Sequence, residues 1–225
     1  YDENGGFKQF YLSKKIASHI FISTKIITEA PEAFLWAGIG DALSKEYEAA
    51  FSSRNDKLEH FDSLGIHISK LCTTQFIEKG KQALLDCKSN TLTKDLEEII
   101  LDIIVSTALV SNLVNYEYDT SIAHSIYNGM TQIKKIKEKH LHGEIVAYGL
   151  QVLLLCDKQL AELDKVHKFC KSVGLPTKLT DLDVKSEDLS LIIANGVKSR
   201  DLVHSPYKIT YEMIQNSIHE LENYD

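Results

Sequence analysis

Three places in the sequence carry residue types that could do chemistry. The first is Ala37-Gly38-Ile39-Gly40-Asp41-Ala42-Leu43, where two glycines permit a tight backbone approach and Asp41 is expected to open a helix. The second is Ile122-Ala123-His124-Ser125-Ile126-Tyr127-Asn128-Gly129, and the third is His140-Leu141-His142-Gly143-Glu144-Ile145. An isolated Asp at a helix start is usually only a cap. A lone histidine on a helix is more often a satisfied core or surface residue than a ligand. Together, one Asp and two His make a sensible catalytic zinc set, because three protein ligands leave a fourth position open for a substrate oxygen. Oxygen plus imidazole, with no thiolate, also tolerates other divalent ions. The eighteen residues from His124 to His142 are too many for one helical face and suit two successive helices converging on a point. His140 lies in a lysine-rich stretch (Lys134, Lys135, Lys137, Lys139) and reads as a solvated histidine, not a ligand.

The glycine pair does not make a dinucleotide site. Leu43 stands where a third glycine would be needed, and no strand leads into the turn. A carboxylate at that helix start would repel a pyrophosphate, so this chain is not expected to bind NAD by itself.

The elements that must position these residues read as helices. Leu96, Ile99, Ile100, Ile103, Ile104 and Ala108 follow an amphipathic spacing, with Asp95, Glu97 and Glu98 in the first turn. Leu160, Leu163, Val166, Cys170 and Val173 form a second stripe, ended by Gly174 and Pro176. Further helices are expected over 41–53, 57–84, 119–133, 143–157, 186–196 and 209–223. Before them, Phe7–Leu12 and His19–Thr24 read as short strands, dense in aromatic and β-branched residues. Two strands alone are marginal in water, so they fit the edge of a larger sheet. The fold class expected is mainly α: a helical bundle with a β fringe at its N-terminus.

Composition narrows the function. The 225 residues are 44% hydrophobic and 25% charged, with a net charge of −7. No Lys/Arg stripe with interleaved aromatics offers a surface to nucleic acid. The longest apolar stretches, 99–114 and 145–156, are too short to span a bilayer. Four scattered cysteines (Cys72, Cys87, Cys156, Cys170) without a C-x-x-C read as buried thiols of a reducing, cytoplasmic protein. The chain opens on Tyr1 in strand-like text and is expected to come from a longer protein.

Three segments in order, AGIGDALSKEYEA (37–49), AHSIYNGMT (123–131) and HGEIVAYGLQVLL (142–154), carry a family resemblance. Flanking matches are ISTKIITEAP (22–31) and CKSVGLPTKLTDLDVK (170–185). The chain resembles the C-terminal part of the glycerol dehydrogenase family, within the iron-containing alcohol dehydrogenase superfamily and its dehydroquinate synthase-like fold. The resemblance implies that residues 1–28 are the last strands of an N-terminal nucleotide-binding domain and that 29–225 form the helical metal-binding domain. It implies that Asp41, His124 and His142 hold zinc, that a polyol such as glycerol is oxidised, and that NAD accepts the hydride in the intact enzyme. Homo-oligomers are common among such relatives. Iron-dependent relatives carry a further His four residues after the Asp, where this chain has Lys45, so the resemblance is to the three-ligand zinc type. Tyr116–Ser121 replaces a Gly-Gly segment of the family, Tyr127 stands where another His is expected, and His204-Ser205-Pro206 is a shortened loop. Two alternatives stay open: a related glycerol-phosphate dehydrogenase or cyclitol synthase, and a non-catalytic metal-binding helical module.

Overall fold

The computed structural model describes residues 17–224. Among them are twelve α-helices and no strand: α1 Thr24–Thr28, α2 Glu32–Ala42, α3 Ser44–Ser52, α4 His60–Lys88, α5 Lys94–Leu101, α6 Thr107–Leu113, α7 Ile122–Met130, α8 Lys134–Lys139, α9 His142–Cys156, α10 Leu160–Val173, α11 Leu189–Gly196 and α12 Tyr211–Glu222. The mainly α expectation is met.

The strand expected over His19–Thr24 is not formed. Residues 19–23 are irregular, and Thr24 already begins α1. Period-two patterning needs a hydrogen-bonding neighbour to become a ladder, and none of the described residues supplies one. The other expected strand, Phe7–Leu12, lies outside the described residues.

The bundle is organised around α9. Thirteen of its fifteen residues are buried, from Gly143 through Cys156 with Glu144 excepted, which is how a helix apolar on all sides reads when neighbours enclose it. It packs against α2, α7, α10 and α12. The crossings are close because glycines stand at them. A Cβ on Gly143 would lie 1.8 Å from the Ala37 carbonyl oxygen of α2, and one on Gly40 would lie 2.5 Å from the Gly143 carbonyl oxygen. Along the same helix, a Cβ on Gly149 would meet the Ala123 carbonyl oxygen of α7 at 2.5 Å. α9 is thus pressed against α2 at its N-terminal end and against α7 at its middle.

The other expected helices are present with shifted ends. The stripe from Leu96 is buried at Leu96, Ile99 and Ile100, but Ile104 is exposed and Asp102 and Val110 are buried instead. A π-turn over Asp102–Ser106 joins α5 to α6; its extra residue rotates the buried face. Gly174 closes α10 at φ +74° in the left-handed region, as its position after the stripe predicts. All four cysteines are buried and unpaired in disulfides. Among the described residues, no helix is long and apolar enough to cross a membrane.

Candidate metal centre

Asp41 does not open a helix. The helix begins at Glu32, and Asp41 lies in the last turn of α2. Gly38 and Gly40 are inside this helix and not in a turn: Gly40 lets the backbone of α9 come close, and Gly38 faces the Ile103 side chain. Leu43 keeps right-handed helical geometry and donates to the Ile39 carbonyl at 3.0 Å, so the chain runs on into α3 almost without a break. His124 sits in the first turn of α7, and His142 is the first residue of α9.

These three residues meet where the ends of α2, α7 and α9 come together. The Asp41 Oδ1 atom is 3.1 Å from His142 Nε2 and 3.6 Å from His124 Nε2. One ligand atom from each residue lies within 4.8 Å of the others. Ligand atoms of a tetrahedral zinc stand roughly 3.3–3.6 Å apart, given bonds of about 2.0–2.2 Å. The spacing and the chemistry of the three donors therefore fit a divalent ion.

A fourth residue, not singled out in the sequence, organises this cluster. Glu48 on α3 is seven residues after Asp41, two helical turns along the same face. Its carboxylate is fully buried and accepts from the backbone N–H groups of Ser121 (2.6 Å) and His124 (3.1 Å) through Oε1. Its Oε2 is 2.6 Å from His124 Nδ1. The i, i+7 pair of acids was the legible signal, but only against a known helix start. The Tyr127 ring meets the His142 ring edge-on at 4.3 Å between centroids, so the residue standing where another His was expected packs on a candidate ligand.

The electrostatics are those of a compensated cluster. Burial opposes charge on His124, yet the Glu48 carboxylate and Asp41 outweigh it and push its pKa up to about 10. For Asp41, burial would raise the pKa, but hydrogen bonds and charge from His124 and His142 hold it far below the usual carboxylate range. Those imidazoles also offset its position at the negative end of its own helix. Lys45 is not free to join the cluster. It is mostly buried and donates to Asp119 Oδ1 at 3.0 Å, and this ion pair raises its pKa against the effect of burial.

His140 stays out of the cluster, but it is not the solvated histidine expected. Its side chain is 5% exposed, with Nδ1 2.8 Å from Glu144 Oε1 and Nε2 3.1 Å from Asp183 Oδ2. Lysine-rich sequence suggested solvent, while acids from α9 and from the segment after α10 actually enclose it. His204 pairs with Asp56 and Glu117 and has no contact with the three candidate ligands.

The chain matches the glycerol dehydrogenase of Thermotoga maritima at 31% identity over 93% of its own length and 59% of that protein's. It is homologous to the C-terminal part of the glycerol dehydrogenases. Two solved structures agree. The glycerol dehydrogenase of Schizosaccharomyces pombe superposes with a TM-score of 0.84 at 26% identity, over all of this chain and 58% of the other. A probable glycerol dehydrogenase of Sinorhizobium meliloti gives 0.78 at 30% identity, over 89% and 57%. No protein-family model matches. The chain thus spans about three-fifths of the length of the glycerol dehydrogenases it resembles.

Proposed function

We propose that Asp41, His124 and His142 hold a divalent metal, zinc by the character of their donors, in the helical part of an NAD-dependent polyol dehydrogenase. Glycerol is the first substrate to consider, a small polyol being the only partner this reading requires. The convergence of three ligand-type side chains from three helices carries the reading. In this view residues 1–28 belong to the nucleotide-binding part and 29–225 to the metal-binding part, with α1 at the junction. The buried free thiols suit a reducing cytoplasm.

A zinc ion there would supply Lewis acidity toward a substrate hydroxyl. The chain's own residues prepare its place. Glu48 takes one side of the His124 ring and leaves Nε2 for the cluster. His142 is 43% exposed and Asp41 38%, so the open side of the cluster faces solvent, where an alcohol would approach. The buried side excludes water behind His124, 13% exposed, and a drier surround strengthens each electrostatic contact.

Elemental analysis after dialysis against zinc tests the assignment. We expect one zinc per chain, with Asp41→Asn losing it. A wild-type chain that retains no divalent metal would overturn the reading.

A further inference from the structure

We infer that Glu48 is a positioning residue for the metal centre: it holds the His124 ring by the Nδ1 proton, so that Nε2 is the nitrogen turned to the cluster beside Asp41, where a bound metal would take its lone pair in place of a proton. This rests on the metal reading above and names the residue that pre-organises the site.

The bland account is that Glu48 only caps α7. It does cap it. The N-cap Ser121 makes no side-chain cap, and its buried Oγ has no partner, while Glu48 Oε1 takes two of the helix's terminal N–H groups from another helix. A capping oxygen satisfies orphan donors at the helix start. Capping, however, uses only one carboxylate oxygen. The second, Oε2, is 2.6 Å from His124 Nδ1 and cannot donate to it, so it accepts the ring proton. With Glu48 fully buried, water cannot substitute for that acceptor. One side chain thereby sets both the start of α7 and the tautomer and tilt of its histidine. Carboxylates that hold the far nitrogen of a metal-ligating His orient the ring and raise its basicity.

Glu48→Gln separates the two roles. Its amide oxygen can keep the backbone cap, but the amide nitrogen then faces Nδ1 as a donor. The ring proton is driven to Nε2, where it blocks the lone pair. If the amide turns over, the ring is satisfied and two backbone N–H groups lose their acceptor. Either way the metal site suffers.

The test loads the full chain with cobalt(II), which reports on its ligands spectroscopically. In the wild type, proton NMR should show a hyperfine-shifted ring N–H of His124 in slow exchange with water, because Glu48 buries it. Glu48→Gln should bind cobalt about 10–100-fold more weakly, as for other partners behind a ligand histidine, and should move or lose that signal while its far-ultraviolet circular dichroism stays helical. Binding as tight as wild type, with the signal unchanged, would leave Glu48 a cap only, and the metal reading would survive. If the variant does not fold, the wild-type spectrum alone decides, and a missing or fast-exchanging His124 ring proton overturns the inference. A wild type that takes up no cobalt removes the metal reading itself and this role with it.

Discussion

His140 and His142 are separated by one residue, and their surroundings differ in kind. His140, in extended backbone after α8 (φ −105°, ψ 140°), is buried with a carboxylate at each ring nitrogen. His142, on the first turn of α9, is half-exposed and pairs with Asp41 among the described residues. The saturated histidine ties three segments together, since Glu144 also accepts from the Leu141 N–H at 3.1 Å and Asp183 draws in Lys135 and Lys139. The unsaturated one keeps its capacity to bind something else. A ring with both nitrogens committed is a brace, while a ring with spare capacity beside another donor set is a candidate ligand.

Replacing each in turn should separate the two. Removing a direct ligand should cost more than the roughly 10–100-fold lost with an outer partner, so His142→Ala should abolish zinc retention in elemental analysis while leaving the fold intact. Equal zinc in this variant and the wild type would dissolve the contrast. Gly143→Ala attacks the shared support. A methyl group 1.8 Å from the Ala37 carbonyl oxygen forces α2 and α9 apart. It should destabilise by about 1–3 kcal/mol or more, read as a lowered urea midpoint, and weaken zinc binding as well.

His140→Ala should do the reverse of His142→Ala. Burying Glu144 without its partner costs about 1–3 kcal/mol, yet zinc stoichiometry should not change. Loss of metal there would show that the wrong histidine was assigned. The smallest effect concerns pH. Lys139 and then His140 hold the Asp183 carboxyl at about 2, below its ordinary 3.8. A group whose pKa is depressed by folding contributes stability above its unfolded value and loses it as pH falls toward the folded one. Urea midpoints should therefore decline between pH 4 and about 2, and Asp183→Asn should flatten part of that decline.

Glycine deserves a different reading in the two regions as well. Gly174, alone after a hydrophobic stripe, announces a left-handed helix end, and the structure has one there. Gly38 and Gly40 read as a tight turn ahead of a helix opened by Asp41, but they lie within α2, where Gly40 lets the backbone of α9 come close. Glycine permits both a turn and a close crossing, and only the partner decides between them.

The sequence by itself determined the helical class, the enclosed character of α9 and the three motifs from which Asp41, His124 and His142 come. Those rest on composition, on apolar runs and on local spacing, which act over one or two turns. The tertiary structure decided that Asp41 ends a helix instead of starting one, that His140 is a brace, and that Glu48 stands behind His124. The last two depend on contacts between residues 43 and 76 positions apart, and the meeting of Asp41 with His142 on one 101 positions apart. Ring nitrogens and carboxylate oxygens have no periodicity that tells which partner will fill them. Only the packing of α2, α7 and α9 at their glycine crossings brings the donors within reach.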